Sequence, residues 1–158
     1  MKKSLLFALV LTFAIPLVSN AQLKKLADNE KIRSFTNGSV GLFKTTSIGE
    51  YTHDTIVIYS VSLPNASTYL DPIILYLGDK QEMLQNLKDF SNALQDGKKG
   101  DSFEFNVWGE KYHFSYRRVL GQRCFFVYDQ YSISSQDYGR LFKLTIDDII
   151  EYMNSLDE

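Results

Sequence analysis

Apolar and polar residues alternate with period two through FEFNVWGEKYHFSYRR, Phe103 to Arg118, a pattern that predicts a β-hairpin. With Gly109 and Glu110 as the turn residues, Trp108 faces Lys111, Phe105 faces Phe114, Val107 faces Tyr112 and Phe103 faces Tyr116. Phe103, Phe105, Val107, Tyr112, Phe114 and Tyr116 then share one face, and Glu104, Asn106, Trp108, Lys111, His113, Ser115 and Arg117 the other. Covering the first face is worth roughly 10 kcal/mol of gross burial at about 25 cal/mol per Å², so that face requires a partner layer.

Strands are also expected at Ser39–Thr46, after the Asn37-Gly38 turn, at the β-branched run Thr55–Leu63, and at Ile73–Leu77. Residues 22–33 are charged and weakly periodic, and read as a mobile leader or one short helix. Asp79 and Glu82 have capping-box spacing, and Met83, Leu84, Leu87, Phe90 and Leu94 form one apolar helical stripe. Gly97 is the expected left-handed stop. In CFFVYDQY every position from Cys124 to Tyr128 is apolar or aromatic, and two readings stand. Either the strand is buried on both sides, or Cys124, Phe126 and Tyr128 continue the inner face past a bulge. Loops are expected at 64–72 and 129–139. RLFKL then runs into a helix with Thr145 as N-cap, Asp148 in the box position, and Ile149, Ile150, Met153 and Leu156 as its apolar side.

The two strand-to-helix junctions align when Asp79 is set against Thr145: Met83 matches Ile149, Leu84 matches Ile150 and Leu87 matches Met153. The predicted fold class is α+β, antiparallel sheet with two amphipathic helices packed over one face. One reading of the alignment is a tandem duplication with halves 34–97 and 98–158. The other is that any strand entering a capped amphipathic helix shares part of this pattern. Twin sheet-then-helix units resemble in layout the whirly type of single-stranded-DNA protein. They also look like secreted β-lactamase-inhibitor proteins, which bind an enzyme through an aromatic-rich sheet face.

The N-terminus changes the cellular expectation. MKK, the apolar run Leu5–Val18 and the small residues Ser19 and Ala21 follow the plan of a Gram-negative secretory signal peptide spanning 1–21. The run is shorter than the ~20 residues of a bilayer-crossing helix. Periplasm or medium is the expected home, with no membrane span after cleavage. The remaining 137 residues suit one domain, 34–158 following the leader, and carry 15 basic against 19 acidic residues, a net charge of −4. That balance offers no global attraction to nucleic acid. Cys124, the single cysteine, cannot form an internal disulfide and reads as a small buried hydrophobe.

Catalytic patterns are thin. His53 and His113 are the only histidines, no HExxH, CxxC, GxSxG or phosphate-cradling glycine loop occurs, and no cofactor or metal site is expected. The Thr52-His53-Asp54 triplet reads as loop polarity, since adjacent strand residues point to opposite faces. The leading expectation is a noncatalytic binding or envelope-accessory protein with a protein or glycan partner. Its candidate contacts are Trp108, Lys111, His113 and Arg117 on the outer sheet face, and Tyr69, Tyr131 and Tyr138 in the loops, since tyrosine and tryptophan combine apolar area with a polar tip. The alternatives are a hydrolase whose site assembles only in the fold, and a sheet that stacks single-stranded nucleic acid. Export, acidity and the inward assignment of five rings weigh against the last.

Overall fold

The computed structural model describes residues 27–48, 54–132 and 134–157. Strands β1 (Ala27–Phe35), β2 (Val40–Ile48), β3 (Thr55–Leu63) and β4 (Ile73–Gly78) form one antiparallel sheet in chain order and lead into helix α1 (Lys80–Asp96). Strands β5 (Ser102–Val107), β6 (Glu110–Val119), β7 (Gln122–Asp129) and β8 (Gly139–Phe142) form a second, also in chain order, and lead into α2 (Lys143–Ser155). The class is α+β, as the pattern predicts. The signal segment 1–21 and His53 lie outside the described residues.

Residues 27–33 are not a leader or a helix but most of β1. Their register runs from Ala27 opposite Ser47 to Phe35 opposite Val40, with an irregularity around Ile32. A strand with so few apolar residues forms here because it is an edge strand whose outer side stays wet. Its cations lie over aromatic rings, Lys31 over Phe43 at 5.9 Å and Arg33 over Tyr152 at 4.4 Å. Charged side chains on such an edge also discourage pairing with other chains.

The hairpin's faces match the alternation, but its register does not. Val107 pairs with Glu110, Phe105 with Tyr112 and Phe103 with Phe114, so Trp108 and Gly109 are the turn, both at positive φ (54° and 86°). A register offset of two residues preserves parity, and Tyr112, Phe114 and Tyr116 are accordingly buried. In β7 the bulged reading fails. Phe125 and Val127 are the inward pair, opposite Tyr116 and Phe114, whereas Cys124, Phe126 and Tyr128 lie in the outer rows with Arg117, Ser115 and His113. Cys124 is nevertheless fully buried.

Phe90 on α1 joins the helix to this inner face, meeting Phe105, Phe114 and Phe125 edge-on at centroid distances of 5.0, 4.9 and 6.5 Å. The α1 capping box forms as expected. Gly97 does not supply a left-handed stop; its φ is −63°, and the position is small because a Cβ would meet the Tyr116 ring at 2.6 Å. Helix α2 starts two residues before the expected cap. Phe142 occupies the N-cap without a side-chain bond, and Thr145, buried in the first turn, shares a hydrogen bond with Thr36 at 2.8 Å. Asp147 bonds Ser91 of α1 and Lys143.

Contacts at both ends of the seam join the sheets, among them these two. The Tyr112 hydroxyl donates to Ile74 O at 2.9 Å and accepts from Tyr76 N at 3.2 Å, occupying the edge of β4 that β3 leaves free. Gly139 of β8 lies so close to Leu63 that a Cβ there would approach it to 2.6 Å. Burial pushes the Tyr112 hydroxyl up to about 12 and the Cys124 thiol up to about 11. The folded chain therefore keeps protons that the unfolded chain releases near pH 9 to 10, so this part of stability is complete below about pH 9 and is lost toward pH 12. Urea midpoints are expected to fall between about pH 8 and pH 11. Tyr112→Phe should cost about 1–3 kcal/mol at the lower pH, by stranding two strand-edge groups, and should flatten the alkaline fall; an unchanged profile would contradict this account of the seam.

Candidate functional site

The N-terminal half of α1 and the β5–β6 hairpin enclose a groove of about 720 Å³. Trp108, Phe105, Val107 and Leu84 supply its apolar lining, and Gln81, Gln85, Asn86, Lys88 and Asn106 its polar lining. Helix periodicity explains one wall, because positions 81, 84, 85 and 88 recur at i, i+3, i+4 and i+7 on one side of α1. The tight turn explains the other wall by lifting Trp108 out of the strand's outer row. The residue is 52% exposed, and its Nε1–H donates to Glu82 Oε2 at 3.3 Å.

Two carboxylates line this groove, and both are engaged. Asp79 Oδ1 accepts from Glu82 N, and Glu82 Oε2 accepts from Asp79 N, each at 2.9 Å, before the indole bond is added. Cap and tryptophan are thus one hydrogen-bonded unit. A pair of acids locked into a helix start is poorly placed to exchange protons with a substrate. Among the described residues no group of three or more His, Cys, Asp or Glu is arranged to hold a metal ion.

The other sequence-selected residues divide into a cluster and outliers. On the outer face of the second sheet, Tyr138 stacks on Phe126 at 4.1 Å and 11°, and Tyr128 lies beside both Tyr138 and His113. Arg117 and Arg140 stand 5.7 and 5.8 Å from the Phe126 ring. Among the described residues neither guanidinium has a carboxylate within ion-pair distance. His113, Arg117 and Tyr138 are therefore brought together. Lys111 lies farther along β6, opposite Asn106, and Tyr69 and Tyr131 stand apart as exposed loop side chains.

The two loops are laced to each other. Asn65 Nδ2 donates to Asp137 Oδ1 at 2.7 Å, and Ala66 N donates to Tyr138 O at 2.8 Å. This lacing holds Tyr138 over the sheet. Phe126, Tyr128 and Arg140 were missed because parity in CFFVY is ambiguous, although the register that places Phe126 opposite Arg140 identifies them at once. Asn106 lies two residues from Trp108 in the chain, whereas Gln81 and Gln85 reach it only because the fold sets α1 against the hairpin. Comparisons with protein-family models, with curated proteins and with solved structures find no match.

Proposed function

We propose that this chain is an exported, noncatalytic binding protein that holds a glycan in the groove beneath Trp108. The observation that carries the reading is an indole fixed by the helix cap at the mouth of a cavity with an apolar wall and an amide-rich wall. Sugar rings offer flat C–H faces to aromatic rings and hydroxyls to amides, so both walls find complementary groups. The engaged carboxylates favour binding over hydrolysis, and the signal segment supports a periplasmic or extracellular site of action. The second sheet's outer face supports a further reading, a protein partner docking on Tyr138, Phe126, Arg117 and Arg140, since stacked rings beside unneutralised arginines suit interface contacts.

The architecture behind this reading is a duplicated unit of four strands and a helix, with both helices packed over the inner sheet faces. Matching strand order in the two sheets and the Ser91–Asp147 hydrogen bond between the helices support it.

Trp108 is the single tryptophan, so its emission reports on the groove directly. Glycan-array screening of residues 22–158, followed by fluorescence titration with the glycans retained, tests the function. A saturable change in emission is expected. Retention of no glycan, or binding that leaves the emission unchanged, would count against the groove.

A further inference from the structure

We infer a second, independent ligand site at the opposite end of α1, a cleft that takes a tetrahedral oxoanion, phosphate or sulfate. The cleft has a volume of about 600 Å³ and is lined by Gly97, Lys98, Lys99, Tyr116, Arg117 and Arg118. Four of those six residues are cations and none is an acid, in a chain whose net charge is negative. Among the described residues no carboxylate lies within ion-pair distance of any of the four. The nearest acid in the turn, Asp101, has its Oδ2 on the backbone N–H of Lys98 at 2.8 Å.

The cations are held in place by neutral groups. Arg118 donates through Nε to the Tyr116 hydroxyl at 3.2 Å, which leaves the two terminal nitrogens of its guanidinium for a bidentate contact. Arg117 donates to Tyr116 O at 3.1 Å. The lysine turn is braced twice, by Asp101 N on Lys98 O and by Tyr116 N on Asp101 O, so Lys98 and Lys99 stand on a fixed backbone. Unneutralised like charges gathered around one concavity repel each other, and a multiply charged oxoanion relieves that repulsion while accepting several charge-assisted hydrogen bonds. The neighbouring rings do not favour a stacked nucleic acid, because Phe126 already carries Tyr138 on one face and has Arg117 and Arg140 beside it.

The test is calorimetric titration of residues 22–158 with inorganic pyrophosphate and with a sulfated tetrasaccharide, at about 50 and 200 mM salt. Binding of either probe is expected, weaker at the higher salt, as ion pairing requires. Pyrophosphate alone binding would identify a small-phosphate site, and the tetrasaccharide binding more tightly would identify a sulfated saccharide. Arg118→Ala and the double substitution Lys98→Ala with Lys99→Ala should each weaken binding at least tenfold, with unchanged urea midpoints because these side chains are exposed. Trp108→Asn should leave it intact, which separates failure here from failure of the glycan groove. The inference is overturned if neither probe binds at millimolar concentration, if the cleft substitutions leave affinity unchanged, or if a single-stranded oligonucleotide binds more tightly than both probes and depends on Phe126 and Tyr138.

Discussion

Replacing Phe90 with alanine is expected to remove about 3–5 kcal/mol of stability, the usual cost of emptying a large aromatic site in a core. The size of the effect follows from position. Phe90 is 8% exposed and lies on α1 against three phenylalanine rings drawn from three strands of the second sheet, so no single neighbour can collapse into the space. Domains of this size hold about 5–15 kcal/mol in total, so the loss is a large share of it. Phe103 provides the comparison, since it belongs to the same face but is 38% exposed and, among the described residues, meets one ring, that of Phe125. Phe103→Ala should cost about 1 kcal/mol. Urea unfolding of both variants checks the ranking, and a Phe90→Ala loss below about 1 kcal/mol would mean that the helix is not held to the sheet through this ring.

That ranking was only half legible from the chain. Period-two alternation placed Phe103, Phe105, Val107, Tyr112, Phe114 and Tyr116 on one face, and the face survived a misassigned turn because the register error was an even number of residues. The turn itself was hidden by its chemistry. Two-residue hairpin turns with positive φ at both positions favour asparagine, aspartate or glycine at the first, and here a tryptophan occupies it. Strand β7 was illegible for another reason: Tyr138, Arg117 and Arg140 gather around its outer rings, so both of its sides are apolar and alternation vanishes. Strand β1 was missed because an edge strand with a wet side needs few apolar residues. The groove was half visible. Alternation assigns Phe105 and Val107 of its apolar wall to the core and leaves Trp108 on the outer face, while its amide wall requires knowing that α1 faces the hairpin.

The displaced tryptophan leads to the second large effect. Trp108→Asn should raise stability by about 1 kcal/mol, because asparagine tolerates the left-handed conformation that costs a bulky residue energy, and the exposed bond to Glu82 gives up only part of that gain. The same substitution should weaken glycan binding by about 2 kcal/mol or more, roughly thirtyfold, as removal of a central aromatic contact does. Leu120 is a built-in control. It occupies the equivalent turn position between β6 and β7, at φ 49°, and is fully exposed. Leu120→Asn should give a similar gain in stability with no change in binding.

On the proposed function, Trp108 serves a ligand rather than the fold. Calorimetric titration of the Trp108→Asn chain with a glycan retained by the unmodified protein, alongside the urea midpoint of the same sample, tests it most directly. Binding weakened by about thirtyfold or more in a chain at least as stable as the original is the predicted result. Unchanged affinity, or loss of binding together with loss of the fold, would contradict it.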